Sequence, residues 1–370
     1  MIFATIGTVS AKSIATRVKA EYNAPTALAA QARGFWHNPQ LLRLISAYAI
    51  VYIHMSRVVS AVHIDPVVLE ILRFGTDLFV VLAGFLTAHV LGNGKSAGAY
   101  LRKRLIRIVP LYWGFTVLAF LVENYAMTNH PNSLTELLRS LAFVPYGPYP
   151  VLYPTWTLLI IVEFSLIIAA FQLVSAEYGV FYSAAFAVLL AVAGRISGTT
   201  DPILVFYTNP MLADFALGII IFKLASSRSL LFRLPPGSAV IVAVTAVTFG
   251  AAAAVLRPLC WPGLPRLLTL GVPMSLLLLG VVVLEQLDVY SNSKLLSFLA
   301  KCTYSIYLTH WFVNIVSEKL VDESGDSARL AMVLLFVTPV VITYFSVFVY
   351  LYAEVPLTRY LSNRFLTPER

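Results

Sequence analysis

The sequence predicts an all-α, polytopic integral membrane protein of about ten transmembrane helices with both termini cytoplasmic. Two observations give the class and a third gives the orientation. Of 370 residues, 59% are hydrophobic and 12% charged, and the mean hydropathy is +0.82, too apolar for a globular chain of this size to cover itself with a water-compatible surface. Apolar runs of about the 17 to 25 residues that cross a bilayer recur along the whole chain. Basic residues gather in alternate connections, as the positive-inside rule requires of a polytopic protein.

The first run, 41 to 60, reads LLRLISAYAIVYIHMSRVVS and carries Arg43 and His54. At 3.6 residues per turn this spacing returns both to nearly one face, roughly 16 Å apart along the axis. Ionisable residues at such depth are costly in lipid, which makes both of them functional candidates. The second run, 72 to 91, opens with Arg73 and Asp77 one turn apart, a spacing at which each satisfies the other locally. Before the third run, 108 to 127, the connection holds Lys95, Arg102, Lys103, Arg104 and Arg107 and is placed in the cytoplasm.

The fourth and fifth runs, 155 to 175 and 179 to 194, are separated by a tight turn around Glu177 and Gly179. Glu163 lies inside the fourth without a local cation, and Tyr153 and Trp156 stand at its mouth. The fifth is short and is followed by Arg195. The sixth, 203 to 223, carries Asp214, read as a helix-packing contact, and is followed by Arg228 and Arg233. The seventh and eighth, 238 to 256 and 266 to 286, read as apolar scaffold. The ninth, 296 to 317, contains CTYSIYLTHWFV, an aromatic stretch in which His310 suits a boundary anchor. The acidic loop with Glu318, Asp322, Glu323 and Asp326 falls outside; after the tenth run, 330 to 352, Arg359, Arg364 and Arg370 fall inside.

Three segments result: a cytoplasmic lead-in over 1–40 with Lys12, Arg17, Lys19 and Arg33, a transmembrane domain over 41–356, and a basic cytoplasmic tail over 357–370. The lead-in contains no recognisable cleavable signal peptide. The net charge of +8 is accounted for by topology and anionic lipid, so nucleic acid is not expected as a partner. Cys260 and Cys302 fall on opposite sides, which argues against a disulfide, and no metal-ligand spacing is present.

Counting from the helix starts at about 1.5 Å per residue, His54 lies about 20 Å from the inner edge of a core roughly 30 Å thick. By the same rise Asp77 sits about 8 Å and Glu163 about 12 Å below the outer surface, and His310 about 21 Å from the inside. Four titratable residues from four helices thus share the middle to outer third, as one polar chamber requires. Among them His54 is the strongest, because histidine serves as a base near neutral pH and Ala47 and Ile50 leave space beside it.

These residues also carry a family resemblance. Arg43 to His54 matches the arginine, ten residues, histidine pattern of the first helix in the membrane-bound acyltransferase 3 family, and FGTDLFVVLAGFL at 74 to 86 resembles its second-helix signature. Arg104 and Arg107 in RKRLIRIVPLYW, Trp156 and Glu163 in TWTLLIIVEFSL, SIYLTHW at 305 to 311, and Glu354 and Pro356 in YAEVP follow in the family's order. Ala83 departs from it, standing where a serine often precedes Gly84 and Phe85, and the segment after Glu163 is more apolar than usual.

The resemblance implies an acyl-CoA-dependent O-acyltransferase of the bacterial inner membrane. It would move acetyl from cytoplasmic acetyl-CoA, a donor and not a tightly bound cofactor, to a sugar hydroxyl of exopolysaccharide or O-antigen, or of a lipid-linked oligosaccharide precursor. Arg43, Arg104 and Arg107 suit the donor's phosphates, since guanidinium groups bind phosphate bidentately. His54 is then the base, or less directly a transient acyl carrier, with Glu163 or Asp77 orienting it. Trp156 and Tyr153 offer sugar-stacking surfaces, and His310 is a further acceptor-side candidate. Two other readings fit the same residues: acylation of a small hydroxylated metabolite such as a macrolide, and a proton-coupled transporter or flippase. The chain lacks the repeat halves common in transporters.

Overall fold

The computed structural model describes residues 36–92, 96–127, 131–147, 149–226, 234–261 and 263–366. The lead-in up to residue 35, with its four basic residues, and Lys95, Arg228, Arg233 and Arg370 lie outside them. Among the described residues every regular element is a helix. Seven stretches are long and apolar enough to cross a membrane: Ala97–Tyr125, Tyr153–Val174, Gly179–Ser197, Pro202–Ser226, Pro236–Cys260, Leu267–Gln286 and Ala328–Phe365. Three more long helices, α1 (His37–Ile53), α4 (Phe74–Gly92) and α14 (Thr303–Glu323), carry Arg43, Asp77 and His310 and are described with their neighbours below.

The first expected run is divided. α1 ends at Ile53 and a short α2 (Ser56–Ala61) follows. His54 N still bonds Ile50 O at 3.3 Å, but Met55 N reaches back only to Tyr52 O, a tightened last turn that leaves the imidazole at the open end of α1. No glycine or proline marks this break. A second short helix, α3 (Val67–Leu72), precedes α4. The third run starts eleven residues earlier than expected, as α5 (Ala97–Leu121), because Ser96 caps it by accepting from Ala99 N and the basic run consists of good helix formers. Arg102, Lys103, Arg104 and Arg107 are therefore helical residues and not a loop.

Between α5 and the next span lies α6 (Leu134–Leu141), an amphipathic helix that the sequence reading did not identify. Its capping box was legible as Ser133 and Glu136: Glu136 N donates to Ser133 Oγ at 3.2 Å and Ser133 N donates to Glu136 Oε2 at 2.6 Å. α7 (Trp156–Val174) and α8 (Gly179–Ser197) agree with the fourth and fifth runs. The sixth is split into α9 (Pro202–Tyr207) and α10 (Met211–Ser226), since Pro210 disfavours helical backbone at Asn209, whose side chain accepts from Met211 N. α11 (Pro236–Cys260) and α12 (Val272–Gln286), the latter entered through a π turn at Leu267–Gly271, match the seventh and eighth. The ninth is α13 (Lys294–Lys301) and α14, bent at Cys302; the tenth, α15 (Ala328–Val349), passes through a π turn at Tyr350–Glu354 into α16 (Val355–Phe365).

α1 packs against α4, α12, α13 and α14, and α4 against α10. The α4–α10 crossing is close because each helix offers a glycine to the other's backbone. A Cβ on Gly84 would strike Phe215 O, and one on Gly218 would strike Val81 O. The lipid-facing side reads differently. On α15 Val333, Phe336, Val340 and Tyr344 are exposed at helical spacing, as an apolar stripe against acyl chains requires.

Candidate active site

Two large cavities lie at opposite ends of α1. One, a chamber of about 580 Å³, is lined at its centre by His54 at the open end of α1, with Thr76 of α4, Tyr153 and Trp156 at the start of α7, and Trp311 and Asn314 of α14. The other, a vestibule of about 470 Å³, gathers Arg43, Arg107, Lys301 and Arg359 around Glu354. A narrow apolar slot of about 160 Å³ adjoins the vestibule, sharing Arg43 and Arg107 with it and adding Arg104, Phe79, Ala83 and Tyr304.

His54 is held by another histidine. Its Nδ1 is 3.0 Å from Nε2 of His310, with the rings 5.1 Å apart and inclined by 23°. His310 Nδ1 lies 3.2 Å from Ile306 O. A carbonyl only accepts, so this geometry assigns the proton of neutral His310 to Nδ1 and leaves its Nε2 as the acceptor. His54 therefore donates from Nδ1, and its Nε2 keeps the lone pair. His310 is wholly buried and does not line the chamber, so its place is behind His54 and not against an acceptor.

Neither carboxylate expected to orient His54 reaches it: Asp77 is engaged elsewhere and Glu163 stands apart from the chamber. Asp77 is wholly buried and accepts from Arg266 twice, Nε to Oδ1 at 2.8 Å and Nη2 to Oδ2 at 2.6 Å. The local Arg73 pair is not formed either: Arg73 Nε binds Glu70 Oε1 at 2.8 Å, and Arg257 reaches the other oxygen of Glu70 at 3.3 Å. A fixed bidentate partner in a desolvated site outcompetes a neighbour on the exposed turn. Asp214, expected as a packing contact, is buried close to Asp77, with Oδ1 against Gly271. Glu163 sits two turns below Trp156 on α7, lines none of the three cavities, and has Oε2 buried without a hydrogen-bond partner among the described residues.

The arginines are brought together, each in a separate setting. Arg43 donates from Nη2 to Ala300 O at 2.5 Å. Arg107 donates to Glu354 Oε1 from Nη2 at 3.2 Å, while Ser305 Oγ donates to Glu354 Oε2 at 2.7 Å. Arg104 donates to Thr87 Oγ1 at 3.3 Å and lies over the Tyr100 ring. Glu354 and Ser305 come from the motifs at the chain's end, and they fix Arg107 across 247 positions.

Tyr153 and Trp156 line the chamber, with the Tyr153 ring 4.3 Å from Tyr149 and 5.6 Å from His54. Arg266, Tyr149, Asn314 and Lys301 were not singled out in the sequence, and Trp311 and Arg359 were named only within a motif and the basic tail. Arg266 had a signal, an arginine at the very start of an apolar run; Lys301 and Arg359 had none beyond their positive charge. Among the described residues no group of three or more His, Cys, Asp or Glu is placed to hold a metal ion.

The chamber offers a neutral imidazole with a free lone pair, aromatic faces and charged planar groups, a set suited to binding and activating a polyhydroxylated molecule. Comparison with known proteins agrees with acyl transfer. Residues 36–352 match the family model described as an acyltransferase domain, that of acyltransferase 3. Over 300 residues the chain is 29% identical to the exopolysaccharide production protein ExoZ of Rhizobium meliloti (strain 1021), covering 77% of this chain and 89% of that one. No solved structure matches the chain. With that match spanning every helix that walls the chamber, the chain belongs to the acyltransferase 3 family and is a multi-pass membrane acyltransferase.

Proposed function

We propose that this protein moves an acetyl group from cytoplasmic acetyl-CoA to a sugar hydroxyl of a surface polysaccharide, an exopolysaccharide or O-antigen, or of its lipid-linked precursor. The observation that carries the reading is the alignment of a cationic vestibule, an apolar slot and a histidine-bearing aromatic chamber along α1. CoA has the matching shape, a polyanionic head on a slender arm that ends in the thioester. Arg43, Arg107, Lys301 and Arg359 take the phosphates, and Arg104 guards the slot. The similarity to a protein named for exopolysaccharide production favours a polysaccharide over a small metabolite as acceptor. The aromatic wall of Tyr149, Tyr153, Trp156 and Trp311 supports a carbohydrate there.

In the reaction, Nε2 of His54 takes the proton of the acceptor hydroxyl as its oxygen attacks the thioester carbonyl. The tetrahedral intermediate collapses with loss of the C–S bond, and the imidazolium returns the proton to the departing thiolate. The products are the O-acetyl ester and CoA with its thiol restored. A positioned base contributes typically 10² to 10⁴-fold to such a step. Because acetyl-CoA and acceptor reach His54 from opposite ends, the proposal requires ten spans, the seven apolar stretches with α1, α4 and α14. Cations outnumber carboxylates at the vestibule end, whereas at the chamber end Arg57, Arg73 and Arg266 are matched by Asp322, Asp326, Glu70 and Asp77. This supports an inner-membrane protein with both termini cytoplasmic.

The test is acetyl-CoA turnover by purified protein with a carbohydrate acceptor. His54→Ala is expected to bind acetyl-CoA normally and release no CoA. A protein that neither binds nor consumes acyl-CoA would be a transporter or flippase instead.

A further inference from the structure

Four helices place the chamber and the slot one layer apart. On α4 Thr76 lines the chamber and Phe79, one turn on, lines the slot. On α7 Thr157 faces the chamber and Leu158 the slot. On α14 Trp311 belongs to the chamber and Tyr304 to the slot, with Tyr307 midway. On α1 His54 and Ile50 line the chamber and Arg43 the slot, with Ala47 buried between them. The intervening layer is filled by the Phe79 ring stacked on Tyr307, centroids 6.0 Å apart and planes inclined by 13°.

The two rings differ in freedom. Tyr307 is buried, its hydroxyl 2.7 Å from Thr157 Oγ1 and donating to Pro154 O at 2.6 Å. Phe79 carries no polar group to anchor it and has the slot on its open side, so rotation about its side-chain bonds is the motion that opens the layer. Arg43 and Arg107 at the vestibule are met first by any acyl thioester, the Phe79 ring next, and His54 last.

We propose that Phe79 is the specificity-determining residue of this transfer: its ring, closed on Tyr307, separates donor space from acceptor space and sets how large an acyl group passes to His54. The proposal rests on the reading of vestibule and slot as a CoA site. A closed ring also keeps water in the chamber from the thioester, which limits hydrolysis to the moments of passage.

Two measurements test it. The first needs no acyl-CoA: Thr76→Cys, in a Cys260→Ser, Cys302→Ser background, is labelled with a membrane-impermeant maleimide in right-side-out and inverted vesicles. With Phe79 intact, labelling is expected only from the face bearing Glu318; with Phe79→Ala or the bulkier Phe79→Leu it is expected from the face bearing Arg359 as well. The second compares acetyl-, butyryl- and hexanoyl-CoA with purified protein. Both Phe79 variants are expected to raise the hexanoyl-to-acetyl turnover ratio severalfold and to increase CoA release without acceptor. Labelling from one face in all three proteins, or an unchanged chain-length range, would overturn the proposal. Sidedness that changes in proteins that consume no acyl-CoA at all would overturn instead the donor reading on which acyl selection depends.

Discussion

In the proposed mechanism the chemistry turns on one proton, that on Nδ1 of His310. Held toward Ile306 O, it makes His310 an acceptor for His54 and leaves the other nitrogen of His54 unprotonated. In serine hydrolases a carboxylate fills the place behind the catalytic imidazole; here a second imidazole fills it, backed by a main-chain carbonyl. On the proposed mechanism His310 positions His54, so His310→Phe is expected to lower kcat about 10- to 100-fold, by analogy with the outer partners that orient metal-bound imidazoles. KM for acetyl-CoA should stay unchanged in that variant, and His310→Gln, which keeps an acceptor behind His54, should recover part of the rate. Kinetics on both variants decides it; an equal rise in KM would show a merely structural role. The sequence placed His54 and His310 at one depth but could not pair them, because 256 positions separate them and a buried histidine with aromatic neighbours also reads as an anchor. Asp77 was singled out for the right reason, an acid deep in a span, and the wrong partner, since Arg266 is 189 positions away.

At the scale of elements, buried ion pairs and glycine contacts hold the site's walls. Asp77→Ala leaves the Arg266 guanidinium without its bidentate partner, which costs about 3 to 5 kcal/mol when a buried pair is broken from one side. Thermal unfolding in detergent should show the loss, and the double replacement Asp77→Leu with Arg266→Leu should recover most of the stability while weakening acceptor binding. At the α4–α10 crossing a leucine at Gly84 has no space against Phe215 O, and overpacking of this kind costs about 1 to 3 kcal/mol. Reduced folded yield of Gly84→Leu, with Gly98→Leu, where a Cβ meets nothing, as the control, checks that packing. Most helices were legible as apolar runs, since length and hydropathy are local properties. The breaks at His54 and Cys302 were not, because no glycine or proline marks them; the break at Pro210 was in plain view. The basic run before Pro110 read as a loop because charge was weighed above helix propensity, although arginine, lysine and leucine all favour helix.

For the whole molecule, the proposed transfer requires the two large cavities to open on opposite faces of the membrane, so that donor and acceptor meet only through the layer above Arg43. The vestibule's exposed rim gives a clean test of the donor side. Arg359→Ala removes an exposed cation from the end of the chain, and losing one charge-assisted contact to phosphate, worth about 1.5 to 3 kcal/mol, should raise KM for acetyl-CoA roughly 10- to 100-fold with kcat intact. Steady-state kinetics with acetyl-CoA varied checks it. The role of His54 in acyl transfer is decided by CoA release from acetyl-CoA by detergent-purified protein, with and without carbohydrate acceptor, for wild type beside His54→Ala. Acceptor-dependent release by wild type, and acetyl-CoA binding of equal affinity without release by His54→Ala, is the predicted result; release by His54→Ala at the wild-type rate would contradict the account.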